Sequence, residues 1–351
     1  DPNVVLVTAH ADCGAVFLYD KKRRSIGLAH AGWKGTLKRV GTELVRSMQT
    51  AFGTKAEDLI AATGPCPDAT QGGAMAKDRA ESKFFTVDPD VQIHYWDKGE
   101  GDAIVFIPGL TFSGEIFKHQ IEHFSDRYRV IAIDPRGQGL STKTVHSNDY
   151  VTHGSDVQKL IDGLGLQNVT LVGWSTGNLE VWSYLEQAGY DKVAGAVTID
   201  MSPLPLSEDP AWWTEGTPAE LSEVATRVLT HPQSAEAFWD EYLTQVMMQR
   251  ELSADEYEYL MDMSRRTPYW IARQLFCDAI FCNYLDVAKT AAKTVPTLMY
   301  IAEHWADVAE PFCHGQFPET PTYVMGGHLM AYEYPEKFNA RLEEFLASEG
   351  K

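Results

Sequence analysis

From about residue 90 onward, short apolar runs alternate along the chain with longer stretches in which apolar residues return at helical intervals. Ala103–Ile107, Arg129–Ile133, Val169–Val172, Ala196–Ile199, Val295–Ile301 and Thr322–Met325 are too short for helices and are rich in β-branched residues, so they are predicted strands. Pro335–Ala347 is amphipathic and predicts a closing helix. Buried strands separated by helical segments give an α/β class. Between Asp200 and Val295 about 95 residues intervene, far more than a loop needs. Apolar positions recur there at helical spacing through Leu221–Leu229, Ala235–Met248, Ala254–Met263 and Tyr269–Phe281. They predict a helical cap over about residues 203–290. The cap carries Trp212, Trp213, Phe238, Trp239, Tyr242, Met247, Met248, Tyr269, Trp270, Phe276 and Phe281. Most of these are needed to pack the cap, and the remainder would make an apolar pocket.

The first quarter reads differently. Ala15–Tyr19 and Ile26–Ala29 alternate as strands, as does Val4–Val7, and Lys34–Phe52 has an amphipathic helical pattern. Residues 1–85 hold 12 basic against 9 acidic side chains, whereas residues 86–351 hold 18 against 40, within a net charge of −19. That break predicts two modules: a small truncated one over 1–66, a linker rich in Gly, Ala, Asp and Lys over 67–85, and a main domain over 86–351. Lys21–Arg24 lies between two predicted strands and reads as a solvated hairpin turn.

The candidate chemistry lies in the main domain. Gly173-Trp174-Ser175-Thr176-Gly177 follows the Val169–Val172 strand and enters a helix, the context that exposes a nucleophilic serine on a sharp turn. A serine hydroxyl needs a histidine to accept its proton and a carboxylate to orient that histidine. His328 follows the last predicted strand and the pair Gly326-Gly327, which suits the base. For the acid, Asp307 stands in the loop after Val295–Ile301, 21 residues before His328, and is placed ahead of Asp200, which ends the Ala196–Ile199 run. Glu303 and His304 share the Asp307 loop and are further polar candidates. The developing oxyanion needs two backbone N–H donors, expected from Thr176 and from Leu110 in the Pro108–Thr111 loop. Trp174 and the Leu110 side chain are expected to line the substrate pocket. Asp134-Pro135-Arg136-Gly137-Gln138-Gly139-Leu140-Ser141 contains an acid, a base and a hydroxyl, but its glycines make a turn that buttresses the loop beneath the pocket.

These motifs together, Ile107-Pro108-Gly109, Asp134–Ser141, the Ser175 turn and Gly327-His328, make residues 91–346 resemble the α/β-hydrolase family, and Gly173–Val181 is especially similar to its arylesterase and perhydrolase branch. That branch usually has a Gly-Gly pair where this chain has Asn178-Leu179, and Pro108 replaces a usual histidine. The resemblance implies an α/β-hydrolase fold with a helical cap and a serine carboxylesterase that forms an acyl-enzyme on hydrophobic acyl or aryl esters without a cofactor. Perhydrolysis or lactone opening on the same triad is the alternative. Serine at the elbow argues against dehalogenase or epoxide hydrolase chemistry, which uses aspartate there.

Ala11-Asp12-Cys13, His30–Thr36 and Leu59–Pro65 closely resemble the bacterial polyphenol oxidase or laccase domain, whose members have also been assigned purine nucleoside phosphorylase activity. The likeness covers residues 3–66 and implies metal ligation by Cys13 and His30 together with a further histidine upstream of Asp1. His10 could supplement these two, yet a catalytic zinc normally takes three protein ligands, so no metal is expected to bind. Phenol oxidation or nucleoside phosphorolysis is therefore the rival reading of a different class. Five scattered cysteines make no disulfide framework. The absence of an 18-residue apolar run predicts no membrane span, and an acidic surface opposes nucleic acid and anionic membranes. The expected partner is a small ester and the expected location the cytoplasm. Oligomeric state is not readable.

Overall fold

The structure, a computed structural model, describes residues 14–31, 40–63, 80–209 and 211–349. It divides into two compact units, Asp1–Arg79 and Ala80–Lys351. In the first, strands β1 (Gly14–Asp20), β2 (Ser25–Ala31) and β3 (Leu59–Thr63) form an antiparallel sheet in the order β2-β1-β3, and helix α1 (Val40–Phe52) carries the buried Met48. The basic run makes the β1–β2 hairpin turn, with Arg24 at φ +53°. All four of its residues are exposed, as a solvated turn requires. Lys22 pairs with Asp58 at 2.6 Å, and Arg23 reaches both Asp20 and Asp58, at 3.2 and 3.1 Å. Val4–Val7, Cys13 and Cys66 lie outside the described residues, as does the start of the expected helix at 34–39, and the His30 side chain is likewise not described.

The second unit begins earlier than the sequence suggests. Strand β4 (Glu81–Asp88) pairs with β5 (Val91–Lys98), so residues 81–85 belong to a sheet and correct the linker's end. The sheet has eight strands, adding β6 (Ala103–Ile107), β7 (Arg129–Asp134), β8 (Val169–Trp174), β9 (Val193–Ile199), β10 (Thr297–Ile301) and β11 (Thr322–Val324). Their order is β11-β10-β9-β8-β6-β7-β5-β4, parallel from β11 to β7 and antiparallel through β5 and β4. The central strands are apolar on both faces because helices cover both. Along β6, Val105 and Ile107 enter one core while Ile104 and Phe106 enter the other, the period-two alternation of a pleated strand. Helices α2 (Lys118–Phe124), α3 (Tyr150–Gly163) and α4 (Gly177–Ala188) alternate with these strands, and α9 (Leu285–Thr294), α10 (Ala306–Gln316), α11 (Met330–Glu333) and α12 (Pro335–Glu349) complete the layers.

The cap is helical as predicted. It comprises α5 (Pro218–Thr226), α6 (Pro232–Tyr242), a π-helical turn at Leu243–Met247, α7 (Ala254–Arg265) and α8 (Tyr269–Ala279). Thr217 and Ser253 start α5 and α7 with reciprocal capping boxes to Glu220 and Glu256, and Pro232 opens α6 at a position where its missing N–H has no helical partner to lose. No helix among the described residues is long and apolar enough to cross a membrane.

Candidate active site

Parallel strands deliver their C-terminal ends to one edge of the sheet, and loops there collect chemistry from separate parts of the chain. Ser175 follows β8 at φ +52°, a left-handed conformation that costs a residue with a side chain on the order of 1–3 kcal/mol. The surroundings hold it there. Its N–H donates to Ile199 O at 2.8 Å, while the first turn of α4 closes on Ser175 O through Asn178 N at 2.9 Å. The turn is tight enough that a Cβ on Gly177 would stand 2.3 Å from Ile107 O, and one on Gly173 would stand 2.5 Å from Asn178 Oδ1. Neither glycine can carry a side chain without moving backbone. Asn178 stands where the resembling branch has glycine, and the structure gives it a use. Its buried Nδ2 donates to Ser175 O and to Ile199 O, both at 3.0 Å, tying the elbow to β9.

His328 is buried, with its Nδ1 2.6 Å from Asp200 Oδ2. The other carboxylate oxygen, Oδ1, accepts the Ala302 N–H at 2.8 Å, so Asp200 is fixed from two sides. Asp200 is itself left-handed at φ +50°, directly after β9, the strand beside the elbow. The partner of His328 is therefore Asp200, which corrects the preference for Asp307. Asp307 lies exposed in the first turn of α10, where a carboxylate complements the helix dipole and needs no role in the site. Glu303 is nearer to the site: its N–H donates to Gly326 O at 2.9 Å and its Oε1 accepts Gly326 N–H at 3.2 Å. It braces the loop that carries His328. His304 is exposed. The cap braces the same loop, since Leu329 N–H donates to Met247 O at 2.9 Å.

Trp174 joins the elbow to the histidine. Its indole N–H donates to His328 O at 2.7 Å and its ring lies 5.4 Å from the imidazole, which Tyr242 approaches from the cap at 5.9 Å. Trp174, Ser175, Thr176, Leu110 and Tyr242 all line one cavity of about 460 Å³, so these expected pocket residues converge. Phe238, Trp239, Met247 and Phe276 add to the apolar wall, whereas Phe281 is 76% exposed and Trp213 belongs to the core.

The loop after β6 presses against Ser175, and a Cβ on Gly109 would stand 2.7 Å from Ser175 Cβ. Thr111 next to it is left-handed at φ +71°, with its N–H taken by Gln138 Oε1 at 2.5 Å. Among the described residues the Leu110 and Thr176 amides have no hydrogen-bond acceptor in the protein, which leaves both free for an oxyanion. Gln138 comes from the Asp134–Ser141 turn, so that turn buttresses the Pro108–Thr111 loop as its sequence suggests, through a contact made across 27 residues of sequence. The rest of that turn is structural. Asp134 accepts N–H groups from Gly114 at 2.8 Å and Leu140 at 2.7 Å, and Arg136 grips Asp156 at 2.8 and 2.9 Å. Ser82 Oγ, His94 Nε2 and His94 Nδ1 with Asp134 Oδ2 form a second serine, histidine and aspartate chain, at 2.8 and 3.0 Å. It ties β4 to β5 and the end of β7, and Asp134 also accepts two backbone N–H groups there.

Comparison with known proteins agrees with both units. Residues 102–269 match the family model for the alpha/beta hydrolase fold, and residues 1–100 match that for multi-copper polyphenol oxidoreductase laccase. The second match runs past β4 and β5, which the sheet assigns to the second unit. Over 139 residues the chain is 37% identical to a non-heme haloperoxidase of Rhodococcus erythropolis, covering 39% of this chain and 50% of that protein. It is 35% identical over 141 residues to the bifunctional esterase/perhydrolase DCH of Acinetobacter calcoaceticus, covering 39% and 51%. The chain thus spans about half the length of these curated relatives. Over 65 residues it is 42% identical to purine nucleoside phosphorylase YlmD of Bacillus subtilis, covering 18% of this chain and 23% of that one. Among solved structures, bromoperoxidase from Bacillus anthracis superposes with a TM-score of 0.69 at 23% identity, covering 76% of this chain and all of that one, a likeness of fold.

Proposed function

Because the second unit is an α/β-hydrolase fold joined to a laccase-family segment, we propose that it is a serine carboxylesterase acting on esters with apolar acyl or aryl groups. Ser175 Oγ attacks the ester carbonyl, and His328 takes the proton on Nε2, the nitrogen not engaged by Asp200. Asp200 holds the Nδ1–H tautomer and balances the imidazolium charge. The amides of Leu110 and Thr176 receive the oxyanion. His328 then returns the proton to the departing alcohol, and water, activated by the same imidazole, releases the acid from Ser175. The observation that carries this reading is the buried 2.6 Å pair of His328 and Asp200 at the strand end beside a strained, cavity-facing serine. The esterase/perhydrolase name of one relative supports a second use of the same site, in which hydrogen peroxide replaces water in deacylation.

A fluorophosphonate probe tests the nucleophile directly. It is expected to attach to the Ser175 peptide and to remove p-nitrophenyl butyrate turnover in step with labelling. Full turnover in fully labelled protein, or an adduct on another residue, would overturn the assignment.

Trp239 makes a further prediction about acyl length. It walls both the site cavity and a second one of about 250 Å³ between α6, α7 and α8. Trp239→Ala is expected to join the two spaces and move the optimum in a C2 to C12 ester series toward longer chains. An unchanged profile would mean that acyl groups do not extend toward this wall.

A further inference from the structure

One group in the cavity has no part in the chemistry above. Glu215, in the loop ahead of α5, lines the apolar cavity with one carboxylate oxygen engaged: Oε1 accepts the Ser202 N–H at 3.1 Å. Among the described residues Oε2 has no donor and the carboxylate forms no ion pair, although it feels the charge of His328. Among the described residues the cavity lining contains no Lys, Arg or His. Glu220, the other carboxylate in the wall, is already used, since its Oε2 accepts both the N–H and the hydroxyl of Thr217 in the α5 capping box. An acid placed in an apolar wall without a partner costs stability unless a ligand supplies the missing donor.

We infer that the natural ester carries a primary or secondary ammonium group, which Glu215 receives while the ester carbonyl lies at Ser175. The proposal rests on the esterase reading and names its substrate class. A charge-assisted bond inside an apolar cavity discriminates strongly against an isosteric methyl, because either partner left alone is uncompensated. The whole chain favours the same class, as a net charge of −19 attracts cations and repels anionic esters.

The environment of Glu215 also makes the preference depend on pH. Burial, followed by the negative charge of Asp200, pushes its carboxyl up to about 7, against the Ser202 N–H and His328, which lower it. Tyr242 and Glu220 share the same wall. Glu215 is thus neutral below about 7 and anionic above it, so selection for an ammonium strengthens as pH rises through that value.

The test compares p-nitrophenyl 6-aminohexanoate with p-nitrophenyl heptanoate, which differ in a terminal ammonium against methyl. In the wild type the ratio of kcat/KM, ammonium over methyl, should exceed that of Glu215→Gln by about tenfold or more, the scale of one charged hydrogen bond. It should also climb between pH 6 and 8 in the wild type and stay flat in the variant. A ratio has two advantages here. The fraction of active enzyme cancels, and so does any pH dependence of the chemical steps that both esters share. Equal ratios in the two proteins, or a pH-independent wild-type ratio, would overturn the inference and leave the esterase reading standing. Turnover of neither ester by the wild type would sink the esterase reading itself.

Discussion

Ser175→Ala is expected to lower kcat for a short p-nitrophenyl ester by about 10⁶-fold, the loss seen when the nucleophile is removed from a serine hydrolase whose triad acts as a unit. The loss should lie in kcat, because Ser175 forms a covalent bond only after the ester is seated in the cavity. Alanine removes one oxygen atom from a position whose backbone is held by Ile199 O and Asn178, so the fold should persist and the variant should still bind an unreactive ester analogue. On the proposed mechanism, the activity that remains would come from the Leu110 and Thr176 amides acting on a water in the cavity. Burst kinetics make the comparison quantitative: a stoichiometric p-nitrophenol burst in the wild type and none in the variant is the predicted pair of traces. A variant retaining a tenth of wild-type kcat in protein freed of host esterases would mean that another group attacks the ester.

The parts of this site that could be read from the chain were those fixed by local geometry. The Ser175 turn shows itself because Gly173 and Gly177 each meet another atom within 2.5 Å of where a side chain would begin, so the pattern is a steric requirement written into five adjacent residues. His328 was legible for a similar reason, with Gly326 left-handed at φ +61° just before it. The cap was legible in the helical periodicity between Asp200 and Val295, and the buried strands in their apolar runs. The acid was not. Asp200 and Asp307 both follow an apolar strand, and no local feature says which strand end faces the histidine. That is decided by sheet order: β9 lies between β8 and β10, and its register sets Ile199 beside Trp174 on one side and Tyr300 on the other. The left-handed turn at Asp200 was the one available hint, since Asp tolerates that conformation better than most residues, but a sequence does not display φ. The parts played by Asn178 and Glu215 were overlooked for a related reason. Each is ordinary in its local context and acquires meaning from a partner on another strand or loop. The domain boundary was misplaced because β4 has exposed positions along one face, so its first residues read as linker.

Asp200→Asn against Asp307→Asn separates the two candidate acids by the size of the loss. Asparagine at 200 is expected to cost about 10⁴-fold in kcat, the scale found when the triad aspartate becomes an amide. The structure supplies the reason. Ala302 N–H points at Oδ1, so the amide oxygen should take that place and turn the NH₂ group toward His328 Nδ1. A donor there stabilises the tautomer with the proton on Nε2. That tautomer cannot accept the proton of Ser175, and the imidazolium formed in the transition state loses its counter-charge. Fold stability should change far less than activity, because shape and both hydrogen bonds survive. Asp307 is exposed in the first turn of α10, where neutralisation removes only a helix-dipole interaction of about 0.3–1 kcal/mol, and its turnover should match the wild type. The ordering can be checked with one ester and two purified variants. Were Asp307→Asn the damaged enzyme and Asp200→Asn the active one, the buried 2.6 Å pair would be a structural contact and the proton relay would have to run through another carboxylate.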